Sequence, residues 1–173
     1  MGTKRKAELG SYEDFVAGRY GEIVRFGALL AGDARLGEDL AQEGLIAAYR
    51  SWNRLGVRDG RPEAYVRQVM IRTAMRAKRR RWHGEVPTEV LPDGSGRDFA
   101  DQSDLTVQVL AALRRLPPDQ RVVLVLRFWA DTSEIEVAQT LGIAVGTVKS
   151  RTSRALAALR AAGLVTESSR ETS

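Results

Sequence analysis

Apolar residues recur every three or four positions on both sides of residues 83–104, and the recurrence stops inside that segment. The segment instead holds two prolines, three glycines and six acidic residues. Helical spacing buries one face of a helix, whereas a stretch rich in proline, glycine and charge has no apolar face to bury. The sequence therefore predicts an all-α fold of two small helical domains joined by an acidic linker.

The boundaries of the predicted domains and helices follow from their end signals. Ser11, Asp33 and Asp104 are residue types that cap helix starts, and Pro62 and Pro118 suit a first helical turn. The division is a basic arm over 1–10, a first domain over 11–82, a linker over 83–104, a second domain over 105–165 and a disordered tail over 166–173.

One segment of the second domain is ambiguous by composition. Val122–Trp129 is apolar and rich in β-branched residues, which would suit a strand. Its neighbours are helical and no partner strand is visible in the sequence, so we predict a buried helix there.

The net charge of +5 is unevenly distributed along the chain. Residues 1–82 carry 17 basic and 10 acidic side chains, residues 83–104 carry 1 and 6, and residues 105–173 carry 9 and 6. Two basic blocks suggest two surfaces for a polyanion, and an acidic connector would be repelled by the same polyanion.

Composition excludes several classes of protein. The chain has no cysteine and one histidine, His83, so disulfides, thiolate metal sites and most catalytic triads are excluded. No apolar run reaches the roughly 18 residues of a membrane span, and no apolar signal core follows the first residues. We expect a cytoplasmic protein that is not an enzyme, with no cofactor, no metal, no small-molecule substrate and no membrane contact.

The strongest local pattern is a pair of helices around Gly142. The predicted helices run from Ser133 to Leu141 and from Val145 to Ala162, with the small Ala138 where they cross. The second helix has no acidic residue and carries six polar or basic candidates for DNA contact: Thr147, Lys149, Ser150, Arg151, Ser153 and Arg154. This pattern predicts a helix-turn-helix that enters the major groove. The alternative is an ordinary helical hairpin with a solvated basic face.

A second basic pattern lies at the C-terminal end of the third predicted helix. Residues 67–81 hold seven basic and no acidic side chains, and Arg72, Arg76, Arg79 and Arg80 recur at helical spacing. Such a stripe would bind phosphates, while aromatic neighbours could stack on unpaired bases. The aromatic candidates are Tyr49, Trp52, Tyr65 and Trp82. The alternatives are a solvated basic run and aromatic residues that belong to the core.

Acidic and amide side chains occupy one face of the second predicted helix, at Asp39, Gln42 and Glu43. Acidic residues gain nothing at a DNA surface, so this face could dock a protein partner. A charged helix face is also often simply solvated.

Taken in order, these segments resemble the extracytoplasmic-function (ECF) group of bacterial RNA polymerase sigma factors, and within it the actinobacterial SigE family. The resemblance covers about Tyr12 to Leu164. Glu38–Tyr49 is similar to the polymerase-docking helix of the family's domain 2, and Leu141–Leu156 is similar to the recognition segment of its domain 4. Arg79–Thr88, with Leu91 and Pro92 after it, resembles the SigE family's stretch after the basic helix.

The resemblance implies a transcription initiation factor that binds core RNA polymerase at the β′ clamp and the β flap. Asp39, Gln42 and Glu43 match the clamp-docking face. Domain 4 would read the minus-35 duplex through the six candidates on its second helix, with a backbone contact from Arg127. An anti-sigma factor is a possible further partner that no motif here specifies.

The resemblance also implies that domain 2 captures the minus-10 element as the DNA opens. Flipped bases would be held beside the third helix and the loop after it, near Arg72, Arg76, Arg79, Arg80 and Trp82. Flipping costs a few kcal/mol per base, so pocket binding makes opening selective.

The sequence departs from the wider family at the third helix. Tyr65-Val66 stands where many members have Trp-Leu, and Arg72 stands where many have an asparagine. An asparagine amide both donates and accepts hydrogen bonds, whereas arginine only donates. The base preference at the minus-10 element is therefore expected to differ from that of other members.

Two other classes fit parts of the sequence. A LuxR-type regulator would share the helix-turn-helix, but the first 82 residues do not resemble a receiver or ligand-binding domain. An enzyme acting on nucleic acid would need a phosphate loop, metal-ligand spacing or a usable histidine, and the sequence offers none of these.

Overall fold

The computed structural model describes residues 10–58, 61–82 and 104–163, and all secondary structure in these ranges is helical. The seven described helices are α1 Tyr12–Ala31, α2 Ala34–Arg58, α3 Pro62–Trp82, α4 Asp104–Arg115, α5 Pro118–Phe128, α6 Glu134–Leu141 and α7 Val145–Ala161. The predicted all-α fold is confirmed. Apart from Gly10 and Asp104, the predicted arm and linker lie outside the described residues, as does the whole predicted tail.

Local end signals account for several of the helix starts. The Ser11 hydroxyl accepts a hydrogen bond from the Asp14 backbone N–H at the start of α1, and Asp33 Oδ1 accepts one from the Leu36 N–H at the start of α2. Pro118 is the first residue of α5. Each of these residues satisfies or removes a backbone donor that has no partner within its helix.

The first three helices pack as one unit around α1 and α2. Where these two helices cross, Gly27 faces Gly37, and a Cβ at Gly37 would overlap the backbone of Ala28. Phe26, Leu30 and Met70 fill the space beside the crossing and are fully buried. The crossing distance therefore depends on the absence of side chains at these two positions.

The apolar segment within Val122–Trp129 forms most of α5, as the sequence predicts. Residues 121–126 are all buried, and Val122 and Val123 have no exposed surface. Phe128 and Trp129 differ, because they are 62% and 48% exposed at the end of the helix. The helical neighbours thus outweigh the strand propensity of the β-branched residues.

The two halves of the chain share one hydrophobic core. Helix α5 packs against α1 and α3 as well as against α6 and α7, and α4 packs against α1. One continuous cluster of buried residues extends from Ile23 in α1 to Leu159 in α7. The second half is therefore docked on the first in this structure.

Candidate nucleic-acid interface

Helices α6 and α7 form the helix-turn-helix. Ser133 and Glu136 make a capping box at the start of α6, in which the Ser133 hydroxyl accepts from the Glu136 N–H and the Glu136 carboxylate accepts from the Ser133 N–H. Gly142 ends α6 in the left-handed conformation, with φ of 65°. Val137 and Val148 are fully buried between the two helices. These local signals fix the angle at which α7 is presented.

The exposed polar side chains of α7 are Lys149, Ser153 and Arg154 and, in its last turn, Arg160. Lys149 Nζ lies 3.8 Å from Glu134 Oε2 with the lysine side chain 66% exposed, an ion pair that contributes little and can exchange for a phosphate. Thr147 and Ser150 are half-buried, and the Ser150 hydroxyl donates to the Thr147 carbonyl over 3.1 Å. The side chains best placed to enter a groove are thus Lys149, Ser153 and Arg154.

Two predicted DNA contacts point toward the protein instead. Arg151 Nη2 lies 3.5 Å from Asp119 Oδ2 in α5, and both side chains are about four-fifths buried. Arg127 is half-buried and donates to the Thr132 carbonyl, across the connection from α5 to α6. Their observed contacts hold α7 and α6 against α5, and a DNA contact by either residue stays a prediction.

Helix α3 presents the second basic surface. Arg72 and Arg76 are exposed, lie four residues apart on one helix face and make no ion pair with any described residue. Arg79, Arg80 and Trp82 lie on the last turns of α3, and their side chains are outside the described residues.

Arg67 does not belong to this basic surface. Its Nη2 lies 2.6 Å from Glu63 Oε1 and 2.8 Å from Glu22 Oε1, so two carboxylates already neutralise its charge. Its guanidinium also lies 5.3 Å from the centre of the Phe26 ring. The acid-free run in the sequence concealed these contacts, because Glu22 comes from another helix.

The acidic and amide face of α2 is open to solvent. Asp39, Gln42 and Glu43 are exposed, and Glu43 Oε2 accepts a hydrogen bond of 3.0 Å from the Thr73 hydroxyl in α3. The same side of α2 carries three large apolar residues, Leu36, Ile46 and Tyr49, which are 47%, 49% and 63% exposed. Apolar side chains rimmed by charge are typical of a protein-docking surface.

Leu36 and Tyr49 do not face the core of the chain. Leu40, Leu45 and Ala48 cover the core instead. The spacing Leu36, Asp39, Glu43, Ile46 of three, four and three residues places these side chains on one helix face. That spacing is the signal that could have identified the mixed apolar and acidic surface.

The aromatic residues near α2 are mainly structural. Trp52 makes ring contacts with Tyr12 and Phe15, each at 5.3 Å between centroids. Tyr65 shares a 3.4 Å hydroxyl contact with Ser51. Tyr49 contacts Tyr12 with an edge but remains the most exposed member of the group. Trp52 and Tyr65 are each half-buried, and base stacking by either stays a prediction.

The described ranges also bear on metal binding and on membrane insertion. Within them, no three His, Cys, Asp or Glu side chains gather closely enough to hold a metal ion. None of their helices is both long and apolar enough to cross a membrane.

The chain matches two family models, Sigma-70 region 2 over residues 15–84 and Sigma-70, region 4 over residues 106–159. It is 40% identical to the RNA polymerase sigma-E factor of Streptomyces avermitilis over 154 residues, which cover 88% of this chain and 85% of that protein. It is 38% identical to the sigma-E factor of Streptomyces coelicolor, over 88% and 86% of the two chains.

A solved structure has the same fold. The sigma factor RpoE of Bartonella quintana, in complex with the anti-sigma factor NepR, superposes with a TM-score of 0.59 at 24% identity, over 90% of this chain and 98% of that one.

The fold and its surfaces define an all-α protein with two basic faces and a helix-turn-helix at its C-terminal end. The two matched regions together cover 124 of the 173 residues. The chain belongs to the sigma-70 family of RNA polymerase sigma factors, in the ECF group, whose members are transcription initiation factors.

Proposed function

We propose that the three exposed surfaces divide the work of promoter recognition between them. The α2 face docks on the β′ clamp of core polymerase, the α3 face holds the opened minus-10 strand, and α7 reads the minus-35 duplex. The observation that carries this proposal is the separation of three exposed groups: the acidic and apolar face lies on α2, the cations Arg72 and Arg76, unpaired among the described residues, lie on α3, and Lys149 and Arg154 lie on α7.

At the minus-35 element, Arg154 is the main candidate for base reading. It is exposed on α7, and a guanidinium can donate two parallel hydrogen bonds to a guanine edge. Lys149 and Ser153 flank it and suit phosphate or base-edge contacts. Arg151 and Arg127 hold α7 and α6 against α5, and the half-buried Thr147 and Ser150 are further candidates for DNA contact.

At the minus-10 element, Arg72 and Arg76 supply charge. Single-stranded DNA exposes both its phosphates and its bases, and an arginine can bind a phosphate and stack on a base. Arg79, Arg80 and Trp82, whose side chains lie outside the described residues, stay candidates from the sequence for the same element. The proposed domain 2, residues 11–82, therefore contributes salt-dependent affinity as well as a site for flipped bases.

At the polymerase, Asp39, Gln42 and Glu43 supply polar complementarity, and Leu36, Ile46 and Tyr49 supply apolar area. A docking surface gains most from the apolar and aromatic side chains that it buries. The proposed domain 4, residues 105–165, carries its own exposed apolar side chains at Phe128, Trp129 and Ile135. Polar DNA would not cover these side chains, so we assign them to the β flap.

The proposed role needs no catalytic group in this chain, since polymerase supplies the chemistry. It also places the protein in the cytoplasm, where polymerase and promoter DNA meet. The fold shared with the Bartonella sigma factor that binds NepR supports an anti-sigma factor as a further partner.

Paired variants test the proposal. Asp39→Arg with Gln42→Ala is expected to lower core binding at least tenfold and to leave binding to duplex promoter fragments unchanged. Arg154→Ala is expected to weaken duplex binding about tenfold, as lost base contacts usually do, without affecting core binding.

Matched controls separate charge from location. Glu13→Arg reverses an exposed acid on α1 and is the control for core binding. Arg25→Ala removes an exposed cation on α1 and is the control for duplex binding. Neither variant is expected to change the binding that it controls for. Unchanged core binding by the Asp39 and Gln42 variant would refute the docking face. DNA binding without any core binding by the unaltered chain would favour the LuxR-type regulator.

A further inference from the structure

Two exposed cations on α7, Lys149 and Arg154, differ in their surroundings. Lys149 Nζ lies 3.8 Å from Glu134 Oε2 at the start of α6. Arg154 makes no ion pair with any described residue. A duplex that approaches α7 therefore meets a carboxylate beside Lys149, while no carboxylate of the described residues pairs with Arg154.

The fold holds Glu134 in this position. The residue opens α6, whose first turn is fixed by a capping box. Its side chain is only 31% exposed, against 66% for Lys149. Val137, one turn after Glu134, and Val148, the neighbour of Lys149, are both fully buried. The two backbones are therefore fixed, and only side-chain motion changes the distance between the two charges.

A carboxylate beside Lys149 weakens the contact of this lysine with a phosphate. A phosphate oxygen that accepts a hydrogen bond from Lys149 Nζ lies about 2.8 Å from it and therefore within about 7 Å of Glu134 Oε2. Repulsion over that distance is not screened, because the Debye length is about 8 Å at physiological salt. Exchange of the carboxylate for a phosphate therefore adds little to the affinity for DNA.

A guanine edge does not meet this repulsion. The O6 and N7 atoms of guanine accept hydrogen bonds without carrying a full negative charge. A lysine ammonium has three donors, so Lys149 can donate to a guanine while it stays beside Glu134. The carboxylate thus penalises contact with the DNA backbone and permits contact with a base edge.

We propose that Glu134 determines specificity by directing Lys149 to a guanine and away from phosphates. Glu134 is a positioning residue, because it acts through Lys149. This role deepens the proposed function and rests on it, since it requires that α7 reads duplex DNA. Random DNA is bound mainly through its phosphates and gains least from Lys149, so the carboxylate increases the discrimination between a promoter and random DNA.

Duplex titrations with the full chain test Glu134. The probes are a pool of random-sequence duplexes and the duplex that the unaltered chain selects from that pool. Glu134→Gln keeps the side-chain shape and removes the charge. We expect affinity for the pool to rise about twofold to fivefold, and affinity for the selected duplex to change by less than about twofold. The salt slope for the pool should steepen by about 0.9, because Lys149 then binds a phosphate.

Two controls separate this effect from a change in net charge. Glu13→Gln removes the same charge from an exposed site on α1, and we expect it to change neither affinity. In a Lys149→Met background, Glu134→Gln should have no effect on either duplex. Equal gains for the pool and for the selected duplex, or the same gain in the Lys149→Met background, would overturn this role of Glu134.

Sequence selection tests the base that Lys149 contacts. Among the positions that the unaltered chain prefers, we expect one guanine whose preference is lost in Lys149→Met and weakened in Glu134→Gln. Arg154→Ala should keep that guanine and relax a different position. If every guanine preference survived in Lys149→Met, or if the unaltered chain bound no duplex, this role of Glu134 would be overturned.

These outcomes are distinct from failure of the polymerase role. If Glu134→Gln behaves as expected but the unaltered chain never binds core polymerase, the polymerase role fails and the role of Glu134 stands. If the chain directs transcription and the two duplexes respond equally to Glu134→Gln, the role of Glu134 fails and the proposed function stands.

Discussion

The Thr73 hydroxyl donates a 3.0 Å hydrogen bond to Glu43 Oε2, across 30 residues of sequence. The bond connects the proposed docking face of α2 to the basic helix α3. It holds one carboxylate oxygen in place before a partner arrives, which lowers the entropy that binding must remove.

Thr73→Val therefore tests whether this bond prepares the docking face. The change keeps the side-chain shape and removes the donor, so we expect core binding to weaken about threefold to tenfold, as the loss of one exposed hydrogen bond to a charged group allows. Thr140→Val on α6, at an exposed threonine away from the docking face, is the control. Unchanged core binding by Thr73→Val, with clear loss in Glu43→Ala, would mean that Glu43 docks without help from Thr73.

The salt dependence of single-strand binding tests the α3 surface. Each phosphate neutralised on a single strand contributes about 0.7 to the slope of log affinity against log salt. Arg72→Ala with Arg76→Ala is expected to reduce that slope by about 1.4. Arg67→Ala removes a cation from the same helix that two carboxylates already neutralise, so its slope should match that of the unaltered chain. If Arg67→Ala reduced the salt slope as much as the double variant does, the assignment of Arg72 and Arg76 to the DNA surface would be contradicted.

Arg151 and Arg154 lie three residues apart on α7 but should fail in different assays. Arg151 pairs with Asp119 in a largely buried position, so Arg151→Ala is expected to lower the free energy of unfolding by about 1 kcal/mol or more. Arg154→Ala, at an exposed position, should leave stability unchanged and weaken duplex binding. Thermal unfolding and DNA titration of both variants check this. Loss of DNA binding at full stability in Arg151→Ala would restore Arg151 as a direct DNA contact.

The crossing of α1 and α2 is testable with two glycines. Gly37→Ala would place a Cβ against the backbone of Ala28, and we expect a loss of about 1–3 kcal/mol in the free energy of unfolding. Gly18→Ala lies on the exposed side of α1 with no heavy atom within 4 Å. It should stabilise the chain by about 0.5–1 kcal/mol through helix propensity. Denaturant unfolding measures both, and equal effects would contradict the close crossing.

The capping box of α6 makes part of the stability pH-dependent. Two hydrogen bonds hold the pKa of Glu136 below the usual glutamate value. The bond from the Ser133 hydroxyl has the larger effect and the bond from the Ser133 backbone N–H the smaller one. A lowered folded pKa means that the carboxylate stabilises the fold above the unfolded pKa, and that this contribution is lost as the pH falls through the folded pKa. The stability difference between the unaltered chain and Glu136→Ala should therefore be largest near neutral pH and shrink below about pH 4. A difference that does not change with pH would contradict the role of the carboxylate.

The elements that sequence predicts well are those set by neighbours in the chain. Ser11, Pro118, Ser133 and Gly142 act within one helical turn, so their residue types suffice to place helix ends. The exposed cations on α7 were likewise predictable. Helical spacing puts the apolar residues of α7 on one face, and the helix has no acidic residue to pair with the cations on the other face.

The elements that sequence missed depend on distant residues. Arg121 bonds to a carbonyl 91 positions away, and Arg67 pairs with Glu22 from another helix. The exposure of Leu36 and Tyr49 depends on which strip of α2 the neighbouring helices cover. Helical spacing identifies a face but not the element that packs on it, so these contacts required the structure.

The most direct test of the proposed function is transcription with purified components. The chain is added to sigma-free core polymerase from the organism that encodes it, with promoter fragments from the same genome as templates. We expect promoter-dependent transcripts that are lost with Asp39→Arg and Gln42→Ala together and reduced with Arg154→Ala. Promoter binding by the chain alone, with no transcript from any template, would contradict its action as a polymerase subunit.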